Sequence, residues 1–256
     1  ALLYAAENGH LEVLRLLLAR GATLNQVDRK GRCALVLAAS KGYFEIVCHL
    51  LQCDWHDVTV GLNLAKAAQQ ALIFAASNGH VEICDYLLDM AEVQINTIDN
   101  DLTGHTALTA ACANGRVKVC EKLLKRGAST LVLNLKGEPP LICAVSEGQW
   151  EVVELIIAHN QNTIEQTDNL GKTSLMLASA EGHLGILELL LSNGADISKV
   201  DNEGMSCLTW ACIKGQIQAA QCLIVHGANV NHTDNNGKIP LDYVALHGNA
   251  ELVSCI

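Results

Sequence analysis

A glycine that recurs about every 33 residues constrains this chain more than any other feature. Successive copies are separated by 33, 37, 36, 33, 34, 33 and 33 residues. Such self-similarity is typical of repeat architectures, in which each unit packs mainly against its neighbours. The chain is therefore predicted to be one array of about eight units. The recurring glycines are Gly9, Gly42, Gly79, Gly115, Gly148, Gly182, Gly215 and Gly248.

Each recurring glycine lies between two segments with a helical pattern. In one unit, small residues fill positions 174–180 before the glycine, and apolar residues at helical spacing fill positions 184–191 after it. A glycine at this junction can take a positive φ and end the first helix without a Cβ clash. Because one helix pair cannot bury its own apolar stripe, neighbouring pairs must stack, which predicts an all-α fold.

A turn of the form Asp-x-x-Gly follows the second helix in several units, usually after a Gly-Ala pair. Asp at the first position and Gly at the last are ordinary turn chemistry. The predicted unit is therefore a helix, a tight turn, a second helix and a projecting finger. The turns are Asp28 to Gly31, Asp168 to Gly171, Asp201 to Gly204 and Asp234 to Gly237. The predicted unit boundaries are approximately 1–27, 28–67, 68–98, 99–133, 134–167, 168–200, 201–233 and 234–256.

On these motifs the sequence resembles the ankyrin-repeat family over its full length. Residues 227–241 are especially similar to the family consensus. The family's Thr-Pro-Leu-His motif is never complete, although Thr106-Ala107-Leu108-Thr109 and Thr173-Ser174-Leu175-Met176 match part of it, so some helix starts are expected to be less firmly capped. The resemblance implies a solenoid that binds other proteins through a concave surface.

The charge of the chain is unevenly distributed. Residues 1–136 contain 13 of the 17 Lys and Arg side chains and 13 of the 27 Asp and Glu side chains, so the net charge of −10 lies entirely in residues 137–256. This acidity argues against nucleic-acid binding, which needs clustered cations. The acidic half either keeps an outer surface solvated or steers a basic partner.

The eleven cysteines contain no CxxC pair and no metal-ligand spacing. Several occupy positions where other units have apolar residues, which predicts buried, reduced thiols and an intracellular, cytoplasmic location. No apolar run is long enough to span a membrane. No cofactor and no direct membrane insertion are expected, and the chain is predicted to be an excerpt of a longer protein. The oligomeric state is not predicted.

The ten histidines do not indicate a catalytic or metal site. His10, His80 and His183 each follow a recurring glycine, a repeat or more apart. The family resemblance implies that these imidazoles bridge backbone groups of neighbouring repeats. Because no nucleophile or phosphate-loop signature is present, the chain is predicted not to be an enzyme.

The array is irregular at two adjacent fingers. Residues 52–64 replace the expected Gly-Ala pair and the Asp-x-x-Gly turn, and a second insertion near residues 99–104 lengthens the next fingertip. Loops on a rigid scaffold often carry binding residues. Trp55 is therefore either an exposed interface anchor or a cover for the gap that the missing finger leaves.

Some departures from the ankyrin consensus resemble the TANC scaffold family, which includes insect rolling pebbles. That resemblance implies a large cytoplasmic scaffold at cell contacts, such as postsynaptic sites or fusing myoblasts, with adhesion-receptor tails as ligands. The resemblance is carried by Leu51-Gln52-Cys53-Asp54-Trp55, Ala68-Gln69-Gln70-Ala71-Leu72-Ile73, Gln94-Ile95-Asn96-Thr97-Ile98-Asp99 and Leu208-Thr209-Trp210-Ala211-Cys212-Ile213-Lys214-Gly215.

The family resemblance implies that the concave surface is lined by finger residues and by the residues before each recurring glycine. These side chains are basic early in the chain and mixed to acidic later, which predicts an extended partner segment with an acidic end and a basic or apolar end. An alternative is docking on neighbouring domains of the same protein. Trp150 and Trp210 are expected in the core. The predicted partner-binding residues are Arg29, Lys30, Arg32, Lys41, Trp55, Glu138, Glu147, Glu181, Glu203, Met205, Ile213 and Lys214.

Overall fold

The recurring glycines separate paired helices throughout the described part of the chain. The computed structural model describes residues 1–55 and 63–256, which contain sixteen α-helices and no strand longer than an isolated bridge. This confirms the predicted all-α class. The chain divides into two compact units, residues 1–135 (unit 1) and residues 136–256 (unit 2).

Unit 1 is a stack of four helix pairs. The first helices α1, α3, α5 and α7 pack against one another in chain order, and the second helices α4, α6 and α8 do the same. The helices are α1 (Leu2–Glu7), α2 (Leu11–Ala19), α3 (Ala34–Lys41), α4 (Phe44–Leu51), α5 (Leu64–Asn78), α6 (Val81–Met90), α7 (Ala107–Ala113) and α8 (Val117–Lys125).

Unit 2 repeats the same arrangement with four further pairs. The first helices α9, α11, α13 and α15 pack in sequence, as do the second helices α10, α12, α14 and α16. The helices are α9 (Pro140–Ser146), α10 (Trp150–His159), α11 (Ser174–Glu181), α12 (Leu184–Ser192), α13 (Cys207–Ile213), α14 (Ile217–Val225), α15 (Pro240–His247) and α16 (Ala250–Cys255). A short 3-10 helix, Gln161–Thr163, follows α10.

The core of each unit is built from aliphatic residues, alanines and thiols. In α3, six consecutive residues from Ala34 to Ala39 are buried, since this helix is covered on two sides by α1 and α5. Seven of the cysteines are buried, and burial raises the pKa of Cys84 and Cys143 to about 12. These thiols therefore behave as small apolar core residues, as predicted.

Helix α5 differs from the other first helices. It extends over 15 residues and begins at Leu64, so the predicted unit boundary between residues 67 and 68 lies inside it. The side chain of Asn63 caps its start by accepting a hydrogen bond from the Lys66 N–H at 2.8 Å. The preceding irregularity lies partly outside the described residues, because residues 56–62 are not described.

The partial capping motifs are effective. Thr106 and Thr173 accept hydrogen bonds from the N–H groups of Thr109 and Met176 at the starts of α7 and α11. Among the described helices, the N-cap residues of α3 and α9, Cys33 and Pro139, make no such side-chain bond. Capping therefore varies along the array, as the incomplete consensus motif indicates.

Candidate protein-binding surface

A ladder of side chains joins the C-terminal ends of the first helices in unit 1. Gly42 has φ +85°, and the His80 Cε1 atom lies 2.6 Å from the position that a Cβ would take there. The imidazole fills this space, and its Nε2 lies 3.0 Å from the carbonyl oxygen of Ser40. The predicted bridging role is thus observed for His80.

The same ladder continues through polar side chains. Asn78 Nδ2 donates to Ser40 Oγ at 3.4 Å, and Asn114 Nδ2 donates to Ser77 Oγ at 3.1 Å. Arg116 Nε donates to the Ser77 carbonyl at 3.0 Å, in the place that an imidazole takes in the preceding repeat. The ends of α3, α5 and α7 therefore lie side by side. We call residues 40, 41, 77, 78 and 114 the inner-end row.

The 28–32 finger lies beside the end of α1. Asp28 Oδ1 accepts from the N–H groups of Lys30 and Arg32, both at 2.9 Å, and Asp28 Oδ2 accepts from Arg32 Nε at 2.8 Å. Burial would raise the pKa of Asp28, but these hydrogen bonds and the Arg32 charge together lower it. The Arg32 guanidinium also lies 4.0 Å from the Glu7 carboxylate.

Arg32 is therefore a framework residue of the finger, whereas its neighbours point to solvent. Arg29 and Lys30 at the fingertip are exposed, and so is Lys41 at the end of α3. Within the described part of the chain these three cations form no ion pair. Three of the predicted basic residues are thus exposed, whereas the charge of Arg32 is paired with Asp28.

The lengthened 99–104 loop reaches the first finger, although α5 separates the two in the chain. Leu102 Cδ2 lies 2.9 Å from the position of a Cβ on Gly31, where φ is +79°. Lys66 in the first turn of α5 pairs with Asp101 at 2.6 Å and holds the loop over that helix. Sequence spacing gave the extra length of the loop but not its direction.

In unit 2 the predicted residues at the helix ends are also exposed. Glu147 and Lys214 follow the last residues of α9 and α13, and Glu181 ends α11. Gln216 Nε2 donates to the Ala180 carbonyl at 3.2 Å, which places the ends of α11 and α13 together. His183 packs on Gly148, but its Nε2 is buried without a hydrogen-bond partner among the described residues, so the expected bridge is missing there.

The fingers of unit 2 are joined by asparagines one repeat apart. Asn169 Nδ2 donates to the Lys136 carbonyl at 3.3 Å, Asn202 Nδ2 to the Asn169 carbonyl at 3.2 Å, and Asn235 Nδ2 to the Asn202 carbonyl at 3.1 Å. Each amide satisfies a carbonyl of the preceding fingertip. Glu203 is exposed at one of these tips, and Glu138, lower in its own finger, is half-buried.

The array pattern and this geometry agree with a known family. The family profile described as "Ankyrin repeats (3 copies)" matches residues 1–61, 56–134, 126–201 and 193–256. The chain belongs to the ankyrin-repeat family. Ankyrin repeats form protein–protein interaction modules, and in this ankyrin array several helix ends and fingertips are exposed.

Several curated proteins are similar to parts of the array. Human "Transient receptor potential cation channel subfamily A member 1" is 26% identical over 192 residues, which are 73% of this chain and 17% of that protein. Caenorhabditis elegans "Ankyrin repeat and KH domain-containing protein mask-1" is 31% identical over 200 residues, which are 77% of this chain and 7% of that protein. Pig "NF-kappa-B inhibitor alpha" is 35% identical over 81 residues, 30% of this chain and 26% of that protein. The chain thus spans only a minor part of each relative.

Two predicted apolar anchors of the ankyrin array are not available to a partner. Trp55 is only 7% exposed and donates from Nε1 to the Leu50 carbonyl at 2.9 Å, so it covers the end of α4. Met205 is 8% exposed, because its finger closes around Asp201. The predicted role as an exposed anchor is therefore wrong for both residues. For Trp55, burial agrees with the alternative prediction that it covers the gap left by the missing finger. Ile213 is half-buried.

The other tryptophans differ from expectation in a different way. Trp150, expected in the core, is 44% exposed at the start of α10, so that expectation is wrong. Trp210 is half-buried and donates from Nε1 to Asp201 Oδ2 at 2.8 Å, with the Lys172 ammonium 3.6 Å from its ring centroid. The signal that sequence analysis missed is an aromatic residue nine positions after the finger Asp.

Among residues 1–55 and 63–256, no three His, Cys, Asp or Glu side chains are grouped to hold a metal ion. Within the same residues, none of the helices combines the length and apolar character needed to cross a bilayer.

Proposed function

We propose that unit 1 binds an extended, acidic segment of another protein along the 28–32 finger and the inner-end row. The observation that carries this proposal is that Arg29, Lys30 and Lys41 are exposed and form no ion pair with the described residues. Other cations of the unit, such as Lys66 and Arg126, are already paired with aspartates. Arg20, Lys118 and Lys125 are also exposed and form no ion pair among the described residues, but they lie on or next to second helices. Along the 28–32 finger and the inner-end row, Arg29, Lys30 and Lys41 are the exposed cations.

These charges contribute to association rate and orientation more than to affinity. A single exposed ion pair contributes about 0–1 kcal/mol, and salt screens it. Three cations on one surface still raise the local concentration of an acidic partner. Hydrogen bonds to the exposed amides of Asn78 and Asn114 would then fix the segment in register.

Unit 2 supports the complementary half of the proposal. Glu147, Glu181 and Glu203 are exposed on its helix ends and fingertips, and Trp150 offers a large apolar surface. This combination suits a segment with basic and apolar residues. Lys214 gives the surface a mixed character.

We further propose, on the TANC resemblance, that the module belongs to a cytoplasmic scaffold at cell contacts and binds a receptor tail at an adhesion site, a synapse or a myoblast fusion site. The second candidate is docking on neighbouring domains of the same protein. It is favoured by the relatives, in which the matching region is only 7 to 26% of the protein. Tight binding of the array to flanking domains alone would support this second candidate.

The test is a charge reversal with a matched control. The variant Arg29→Glu, Lys30→Glu, Lys41→Glu is compared with Arg20→Glu, Lys118→Glu, Lys125→Glu, which changes the net charge equally at exposed sites on and next to second helices. The probe is a fluorescent peptide of about twelve residues with alternating Glu and Gly. We expect the first variant to bind at least about tenfold more weakly and with a smaller salt dependence than the control. Equal binding by the two variants would contradict the proposal.

A further inference from the structure

A pocket of about 440 Å³ opens in unit 1 between the first turns of α5 and the segment that leads into the 99–104 loop. Its wall includes Lys66, Gln69 and Gln70 from α5, with Asp99 and Asp101 opposite. Both glutamines belong to the Ala68-Gln69-Gln70-Ala71 stretch, which the predicted function does not use. The pocket therefore has a polar wall without an assigned role.

Two atoms of this wall lack hydrogen-bond partners. Gln70 is 3% exposed, and its Oε1 is buried without a partner among the described residues. The Nε2 of Gln69 is likewise buried and unpartnered in the described structure. A buried polar atom left unsatisfied costs about 1–3 kcal/mol, so a pair of them on adjacent residues calls for a physical explanation.

Flipping the two amides does not remove the deficit. Gln69 Oε1 accepts from the Gln94 N–H at 3.0 Å, so a flip would place an NH₂ group against an N–H group. Gln70 Nε2 donates to Asp99 Oδ1 at 3.3 Å, so a flip would place a carbonyl oxygen against a carboxylate. The surrounding contacts therefore fix one unused donor and one unused acceptor.

Of the four charged groups of the wall, Glu92 is exposed and the other three are already satisfied. Lys66 pairs with Asp101 at 2.6 Å. Asp99 is buried and accepts from the N–H groups of Asp101, Leu102 and Thr103 at 3.0 to 3.2 Å. The buried binding capacity that remains is therefore neutral: one donor and one acceptor on neighbouring side chains.

We propose that this pocket binds an amide group of a protein segment. The amide N–H donates to Gln70 Oε1, and the amide carbonyl accepts from Gln69 Nε2. A backbone peptide group and an Asn or Gln side chain share this chemistry. The inference deepens the proposed function and rests on it, since it adds a site for a partner segment beside the basic surface. Entry of the ligand requires a small rotation about the soft terminal torsion of each glutamine.

The first test uses the unaltered chain and three small amides as probes. Side-chain amide resonances of Gln69 and Gln70 are followed by heteronuclear NMR during titration with N-methylacetamide, acetamide or N,N-dimethylacetamide. We expect N-methylacetamide or acetamide to shift both resonances with saturation, and the stronger of the two identifies a backbone or a side-chain amide. N,N-dimethylacetamide keeps the acceptor but has no N–H, so it should bind at least about fivefold more weakly. Equal binding of all three probes, or no saturable shift, overturns the inference.

The second test uses Gln69→Met and Gln70→Met, which keep side-chain length but remove the hydrogen-bonding groups. The control is Gln218→Met at an exposed position in unit 2. Each pocket variant should weaken the amide titration at least about fivefold at the remaining glutamine, while the control leaves it unchanged. The probes are uncharged, so a negative amide titration beside normal binding of the acidic peptide refutes the pocket alone. A positive amide titration beside failure of the acidic peptide refutes the proposed function instead.

Discussion

The fingers of the two units begin with the same aspartate turn but satisfy the second carboxylate oxygen differently. In unit 1, Asp28 uses the arginine four positions later in its own finger. In unit 2, Asp201 and Asp234 use Trp210 and Tyr243, which lie on the following first helices. The 28–32 finger of unit 1 is thus closed locally, and these two fingers of unit 2 are closed by the helix behind them.

This difference has consequences for the exposed surface. In unit 2, aromatic rings and the asparagine ladder fasten successive fingers at a regular interval, with Lys172 lying over Trp210. In unit 1, the 99–104 loop lies over α5, reaches Gly31 and forms one wall of a pocket. The regular repeats are therefore fastened to one another in a common way, whereas the irregular repeats have surface features that the others lack.

The largest expected effect tests the helix-end ladder of unit 1. Gly42→Ala places a Cβ both at positive φ and against the His80 ring, so we expect a loss of about 3 kcal/mol in the free energy of unfolding. Gly127→Ala is the matched control, because it has a similar φ of +87° with no atom within 4 Å of the new Cβ. It should cost about 1 kcal/mol. Urea unfolding followed by far-UV circular dichroism measures both, and equal costs would contradict the packing role of His80.

The next effect tests finger closure in unit 2. Trp210→Phe keeps an aromatic ring but removes the donor to buried Asp201, so we expect a loss of about 2 kcal/mol. Trp150→Phe, at an exposed position without this contact, should change the unfolding free energy by less than about 0.5 kcal/mol. Similar losses in the two variants would mean that ring packing, and not the hydrogen bond, closes the finger.

Tyr243→Phe tests finger closure at the next repeat, where we expect a smaller loss of unfolding free energy. Its hydroxyl donates to Asp234, and that hydrogen bond, with burial and nearby acids, raises the Tyr243 pKa to about 12. This hydrogen bond therefore contributes its full stabilisation to the fold below about pH 10, the ordinary tyrosine pKa. The contribution is lost as the pH rises towards 12. We expect Tyr243→Phe to lose about 1 kcal/mol at neutral pH and to abolish this part of the alkaline dependence. An unchanged alkaline profile in urea unfolding would contradict the assignment.

The smallest effect concerns the locally closed finger of unit 1. Arg32→Gln removes the ion pair with half-buried Asp28 and should cost about 0.5 kcal/mol, less in high salt. Because the pKa of Asp28 is lowered in the folded protein, its carboxylate stabilises the fold above about pH 4. This stabilisation is lost as the pH falls below that value. The variant should weaken this acid dependence without removing it, because the Lys30 and Arg32 N–H groups still donate. Stability curves against pH, compared with those of Arg15→Gln, check the prediction.

The sequence was sufficient for features that depend on neighbours in the chain. Gly42 and Gly182 end helices because their position requires a positive φ, and Asp168 and Asp201 close turns on N–H groups two and four residues later. Exposure was harder to predict. Trp55 and Trp150 both have polar neighbours in the sequence. Nevertheless, Trp55 donates a hydrogen bond back to Leu50, whereas Trp150 lies at a helix start and faces solvent.

The sequence by itself therefore determined the repeat, the paired helices and the location of the irregular fingers, since each follows from local backbone chemistry and periodicity. Only the tertiary structure decided that Met205 is buried and that Gln69 and Gln70 keep unused hydrogen-bonding atoms. The physical reason is that exposure and hydrogen-bond satisfaction depend on groups from other repeats. The direction of the 99–104 loop, which creates the pocket wall, is set by Lys66 and Gly31 across α5.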